Sequence, residues 1–195
     1  LFSDGGVHSS LEHLEALLAL AKREGIKKCF VHAFMDGRDT DPKSGQGFVR
    51  HVEEQMKSGR IAGTIASIVG RYYAMDRDKR WERVREAYDL LVNGKGTPFV
   101  DAEQAVTASY EGGVTDEFMK PHVRVDADGK PIGRIAAGDA VVFINFRNDR
   151  AKELTTVLTQ TEMEGMKPLE LFFATMTPYD PTYKGLHVLF PKELS

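Results

Sequence analysis

Short apolar segments recur along this chain, and they restrict its fold more than any other feature. They cover residues 29–34, 61–69, 140–146 and 169–176, and the pair Leu1 and Phe2 reads as the end of another. Near-continuous apolar runs are typical of parallel strands that are buried on both faces. Helical patterns separate the runs. This alternation predicts an α/β fold, a three-layer sandwich with a mostly parallel, doubly wound sheet and helices on both faces.

The helical patterns between these strands have clear boundaries. Ser9 or Ser10 can cap a helix whose leucines share one face, and Gly25 ends it. Further helices are predicted from residue 42 to about 58, 78 to 92, 102 to 110 and 149 to 158. Residues 122–125 and 132–135, joined by a turn at Asp128-Gly129, predict a small β-hairpin insertion.

Length and composition favour one domain over residues 1–195, with one sizeable core. The net charge of −3 argues against nucleic-acid binding, and the chain has no apolar stretch long enough to span a membrane. The single cysteine, Cys29, cannot form an internal disulfide, which favours a cytoplasmic protein. Because the chain opens with Leu1 inside an apolar run, we expect a domain cut from a longer polypeptide.

Charged loops follow the apolar runs, at residues 3–8, 36–40, 70–78 and 145–150. In an open α/β sheet the carboxyl ends of the strands meet at one edge, where ligands bind. Five arginines are therefore predicted to converge, namely Arg38, Arg71, Arg77, Arg147 and Arg150. Guanidinium forks suit phosphate and carboxylate groups, so the pattern predicts a site for a small, multiply anionic substrate.

Each loop also has a simpler interpretation. The segment Asp36-Gly37-Arg38-Asp39-Thr40 could be an exposed ion-pair turn, and a single arginine is more often a solvated surface charge. Its two aspartates are separated by two residues, which rejects the aspartate nucleophile motif of haloacid-dehalogenase-type phosphatases. An aspartate beside Arg38 stays ionised and suits a proton acceptor for a substrate hydroxyl. The histidine spacing supports no metal site, and dinucleotide and P-loop motifs are absent.

In their order along the chain, these segments resemble the cofactor-independent phosphoglycerate mutase family. The resemblance covers all 195 residues and includes the long stretch 70–81, GRYYAMDRDKRW. It implies an isomerase of glycolysis that interconverts 3-phosphoglycerate and 2-phosphoglycerate. In that family a phosphatase-like domain carries two manganese ions and a serine nucleophile, and an inserted transferase domain holds the glycerate. The chain resembles most of the second domain, with the first supplied in cis by a longer parent.

The resemblance also implies a role for particular residues. His8 matches the substrate-binding histidine of the DGGVHS motif, and Arg38 and Asp39 match the family's paired arginine and aspartate. The other arginines match the remaining substrate ligands, namely Arg71, Arg77, Arg147 and Arg150. Ser10 departs from the pattern, because many relatives carry a second histidine there.

The implied mechanism moves phosphate to the serine of the other domain and returns it to the second hydroxyl of the bound glycerate. Arginine forks would hold the anionic groups, and Asp39 would be catalytic as a proton shuttle at the glycerate hydroxyls. The chain itself would hold no metal or other cofactor and would be inactive alone. The alternative is a stand-alone module that binds anions or phosphosugars without catalysis.

Overall fold

Strands and helices alternate along the chain in the computed structural model, which describes residues 1–191. Residues 192–195 of the predicted domain lie outside the described part. The helices are α1 (Leu11–Arg23), α2 (Gly45–Lys57), α3 (Arg71–Ala74), α4 (Trp81–Asn93), α5 (Ala102–Glu111) and α6 (Lys152–Thr159). The strands are β1 (Phe30–Met35), β2 (Thr64–Gly70), β3 (Thr97–Phe99), β4 (His122–Arg124), β5 (Ala140–Phe143), β6 (Phe172–Thr175) and β7 (His187–Val188), and a 3-10 turn covers Asp116–Phe118.

The strands form two hydrogen-bonded sheets. The first has the order β1-β2-β4-β3, in which only the β2–β4 pairing is antiparallel, and the second is the parallel sheet β5-β6-β7. Between them lie Leu1 and Phe2, which form no regular strand. The Phe2 amide donates to the Phe34 carbonyl at 2.8 Å, and the Leu1 nitrogen donates to the Asn145 side chain at 2.6 Å. The predicted mostly parallel α/β class is confirmed, with the sheet divided at this seam.

Adjacent residues of one strand point into different apolar clusters, as the pleat requires. Phe34 belongs to a cluster that contains the inner faces of α4 and α6. Met35 belongs to a second cluster, which contains the inner faces of α1, α2 and α5. Helices therefore cover both faces of the sheet, which gives the predicted three layers.

Side chains cap the N-termini of two helices. Ser10 caps α1, because its side-chain oxygen accepts the Glu12 amide at 3.2 Å. Position 10 therefore has a structural role in this chain. Asp101 caps α5 in the same way through the Gln104 amide.

The predicted hairpin is shorter in the structure. β4 pairs with β2 and β3, and only a bridge from Val125 to Pro131 and a bond from the Ile132 amide to the Arg124 carbonyl continue the hairpin. Residues 132–135 form no strand, because the Ile135 amide instead donates to Leu91 at the end of α4. In residues 1–191 no helix is long and apolar enough to cross a membrane.

Candidate anion-binding site

Four loops meet where β1 and β2 end and where the chain leaves β5. β5 ends at Phe143, three residues earlier than predicted, and the Phe146 amide turns to donate to the His8 carbonyl at 2.8 Å. β2 runs directly into α3, which places Arg71 at the edge of the first sheet. Gly70 is required there, since a side chain would overlap the backbone of Glu117.

Arg71 is the buried centre of the site, and only 3% of its side chain is exposed. Its Nη1 donates to Asp36 Oδ1 at 2.9 Å and to Asp39 Oδ2 at 2.7 Å. Its Nη2 lies 3.3 Å from His8 Nε2. These four residues, which we call the floor of the site, are His8, Asp36, Asp39 and Arg71.

Asp36 fixes the shape of the loop after β1. It accepts hydrogen bonds from the Ser3 hydroxyl at 2.6 Å and from the backbone amides of Arg38 and Asp39. Burial would raise its pKa, but these bonds and the one from Arg71 hold the pKa of Asp36 below its ordinary value. Asp36 is therefore a buried carboxylate that holds Asp39 next to Arg71.

His8 is buried and neutral at physiological pH. Burial, together with the charge of Arg71, lowers its pKa to about 4. Because a guanidinium can only donate, His8 Nε2 must accept from Arg71, which assigns the proton to Nδ1. Nδ1 lies 3.8 Å from Asp149 Oδ1, and neither atom has a hydrogen-bond partner. The floor therefore contains a buried N–H donor without a hydrogen-bond partner.

Two exposed arginines next to this floor, Arg77 and Arg147, both lie close to the carboxylate of Asp149. Arg77 Nη1 donates to Asp149 Oδ2 at 2.9 Å. Arg147 Nε lies 3.0 Å from Asp149 Oδ1, without the alignment of a hydrogen bond. Burial would raise the pKa of Asp149, but the bond from Arg77 and the charge of Arg147 hold this pKa below its ordinary value. The two arginines remain 45% and 49% exposed.

Arg150 and Arg38 complete this outer group. Arg150 Nη1 donates to the Met75 carbonyl at 3.1 Å. Burial and the nearby charges of Arg77, Arg71 and Arg38 lower the pKa of Arg150, so all four guanidinium groups lie within electrostatic reach. Arg38 lies 3.5 Å from Glu117 and is 55% exposed. We call the outer group the rim, and it consists of Arg38, Arg77, Arg147 and Arg150.

The structure thus brings all seven predicted site residues into one cluster, although not in equivalent positions. The fork of Arg71 is already occupied by protein groups, whereas three of the rim arginines, Arg38, Arg77 and Arg147, are exposed and Arg150 is half-buried. A cleft of about 590 Å³ opens beside Arg77 and Asp149, between α6 and residues 180–184. Such an arrangement can bind a carboxylate or phosphate at the rim and act on it from the floor.

Sequence reasoning did not assign Asp36 and Asp149 to the site. Both stand in the same loops as the arginines, and buried or clustered guanidinium groups need carboxylate partners. That requirement was the available signal. In the described residues, no group of three or more histidine, cysteine, aspartate or glutamate side chains could hold a metal ion.

Comparison with protein families gives a match over residues 1–181 to the model described as BPG-independent PGAM N-terminus. The chain is 60% identical over 196 residues to the 2,3-bisphosphoglycerate-independent phosphoglycerate mutase of Parabacteroides distasonis and 59% identical to that of Bacteroides fragilis. Each alignment covers 99% of this chain and 38% of the relative. The chain therefore spans less than half the length of these curated relatives.

A solved structure of Leishmania mexicana phosphoglycerate mutase, determined at low cobalt concentration, has a similar fold. It superposes with a TM-score of 0.86 at 34% sequence identity. The match covers 92% of this chain and 35% of that one.

Proposed function

The chain belongs to the BPG-independent phosphoglycerate mutase family, and we propose that it forms most of the substrate-binding domain of such an enzyme. The proposed domain covers residues 1–195 and binds 2- or 3-phosphoglycerate. The observation that carries this proposal is the buried Arg71, which holds Asp39 and His8 within electrostatic reach of further, less buried arginines. A phosphatase-like domain in cis would supply the serine that carries the phosphate.

The rim would bind the anionic groups of the substrate. Arg77 and Arg147 share one carboxylate, Asp149, and remain nearly half exposed, so their other N–H donors are open to a ligand. Charge-assisted hydrogen bonds from guanidinium groups to carboxylate and phosphate are among the strongest available to a protein. The rim would thereby hold glycerate while its phosphate is on the other domain.

The floor would handle protons at the glycerate hydroxyls. Asp39 keeps 19% of its side chain exposed while Arg71 holds its Oδ2, so it can take a hydroxyl proton as the phosphate returns. His8 is neutral and buried, and its Nε2 accepts from Arg71, so it would help to hold the guanidinium that positions Asp39. Arg71 and His8 would therefore orient the carboxylate that accepts the hydroxyl proton.

Two manganese ions are expected in the parent, where they would stabilise charge on the phosphoryl oxygens. The described part of this chain offers no fitting group of ligands, so we place the metals in the other domain. We also propose a cytoplasmic location, in keeping with a glycolytic reaction.

The test is to titrate the purified chain with 3-phosphoglycerate by calorimetry and to assay mutase activity with and without manganese. We expect binding without turnover, since the serine that carries the phosphate would lie in the other domain. Metal-dependent turnover by the chain alone would contradict the proposal. The alternative, a binding module without catalysis, predicts that the full-length parent is inactive as well.

A further inference from the structure

Two buried carboxyl groups lie beneath the loop between α3 and α4. Asp76 is 3% exposed and Glu153 is 8% exposed. Asp76 Oδ2 accepts the backbone amides of Asp78 at 3.0 Å and Arg80 at 2.9 Å, and Glu153 Oε1 accepts the amide of Lys79 at 2.6 Å. Three consecutive backbone amides of the loop therefore donate to these two carboxyl groups.

The two carboxyl groups have different surroundings. The guanidinium nearest to them is Arg83, whose Nη1 lies 3.6 Å from Asp76 Oδ1 and which stacks on the ring of Tyr72. Glu153 Oε2 is buried and has no partner with hydrogen-bond geometry. Burial and the neighbouring carboxylate of Asp76 raise the pKa of Glu153 to about 7. Burial would also raise the pKa of Asp76, but hydrogen bonds, among them those from the Arg80 and Asp78 amides, hold it below its ordinary value. A proton bound by the two groups is therefore carried by Glu153.

The pair connects two loops of the rim. Glu153 lies on α6, one turn after Asp149, and its bond to the Lys79 amide holds the loop that carries Arg77. Arg77 in turn donates to Asp149 at 2.9 Å. Lys79 has a φ of 56°, a left-handed conformation that an L-residue adopts only when its surroundings hold it there.

We propose that Glu153, which accepts the Lys79 amide, is a positioning residue that sets the place of Arg77 at the rim. It touches no substrate and acts through the Lys79 amide. The proposal rests on the proposed function in one respect, since it takes Arg77 as an anion ligand.

A dependence on pH follows from this arrangement. Other titratable groups near the pair are Asp78 on the loop, Arg83 on α4 and Tyr183 from the segment after β6. Three further cations, Arg77, Lys79 and Lys152, line the cleft beside Glu153. Ionisation of Glu153 adds a second buried negative charge next to Asp76. Repulsion then loosens the loop, and anion binding at Arg77 weakens as the pH rises.

Sulfate is the suitable probe, because its charge is constant over the range tested. We expect the wild-type chain to lose roughly 3- to 5-fold in sulfate affinity from about pH 6 to about pH 9, the size of one exposed charged contact. Glu153→Gln keeps an acceptor for Lys79 and a donor for Asp76, so its affinity should stay constant over this range. A wild-type pH profile in Glu153→Gln would overturn the proposal.

A double-mutant cycle tests whether Glu153 acts through Arg77. Glu153→Ala should weaken sulfate binding in the wild-type chain and have no further effect in an Arg77→Ala background. An undiminished effect in that background would also overturn the proposal.

If the proposed function is wrong, the wild-type chain will not bind sulfate at any pH. In that case NMR still tests whether Glu153 positions Arg77. Glu153→Ala must speed hydrogen exchange of the Lys79 amide and shift the Arg77 Nε–H signal, while Glu153→Gln must leave both unchanged. Unchanged signals in Glu153→Ala would reject the positioning role.

Discussion

The floor and the rim use the same side-chain chemistry in opposite environments. Arg71 is 3% exposed and donates to two carboxylates and a histidine, all within the protein. Arg147 is 49% exposed and meets only one carboxylate at its edge. Breaking a buried ion pair is costly, whereas an exposed pair contributes little to stability. The floor is therefore expected to hold the fold and act on protons, and the rim to hold the ligand.

The largest effect is expected at Asp39, in the full-length parent. Asp39→Asn keeps an oxygen for Arg71 but loses the basic carboxylate, so kcat should fall by about 10²- to 10⁴-fold with little change in KM. A phosphoenzyme should accumulate, because the serine on the other domain can still accept phosphate. Rapid-quench detection of that species checks the prediction. Equal losses in binding and turnover would make Asp39 a structural partner of Arg71 instead.

Arg71→Ala should produce the next largest change, in stability. It leaves Asp36 buried without its guanidinium, which costs about 3–5 kcal/mol in the free energy of unfolding. Urea denaturation of the chain measures this value. The matched control is Arg77→Ala at the rim, which should cost about 0–1 kcal/mol. Similar losses for the two variants would remove the distinction between floor and rim.

Arg147→Ala should show the reverse pattern, with binding affected and stability preserved. Losing one charged hydrogen bond to the ligand costs about 1.5–3 kcal/mol, or roughly 10- to 150-fold in affinity for 3-phosphoglycerate. Calorimetry and urea denaturation on the same variant give both numbers. A stable variant with wild-type affinity would exclude Arg147 from the ligand site.

The last effect is absent at neutral pH and concerns His8. Its pKa is lowered from 6.5 to about 4 by burial and by Arg71. Between these pH values His8 is therefore protonated in the unfolded chain and neutral in the folded chain. This stability is complete above pH 6.5 and is lost as the pH falls toward 4, at about 1.4 kcal/mol per pH unit for each proton. Urea denaturation over that range should show a shallower slope for His8→Asn.

The pH dependence of the free energy of unfolding of the wild-type chain does not by itself isolate the contribution of His8. Burial also lowers the pKa of His32 to about 4, and the raised pKa of Glu153 acts in the opposite direction. The difference between wild type and His8→Asn is therefore the quantity to compare. Identical slopes would show that His8 is not held neutral.

The comparison also separates what sequence could predict from what it could not. Apolar runs and caps such as Ser10 are local signals, and they located the layers and the site loops. The division into two sheets depends on where Leu1 and Phe2 lie between Phe34 and Asn145, which no periodicity encodes. The five arginines look alike in sequence, and only the packing around them sets Arg71 apart from the rim.

The same logic explains why the carboxylates were harder to assign. Asp36 and Asp149 stand next to arginines in the sequence, but their partners come from other loops, Arg71 and Arg77. Glu153 gives no sequence signal at all, since a glutamate in the first turn of a helix is ordinary. Its environment arises only when α6 packs against the loop after α3.

The seam between the two sheets has a mechanical consequence. The rim residues Arg38 and Arg77 follow strands of the first sheet, whereas Arg147 follows β5 of the second. An anion held by Arg77 and Arg147 would act as a removable crosslink between the sheets. In a single-molecule pulling experiment along this seam, the rupture force would then report whether the site is occupied.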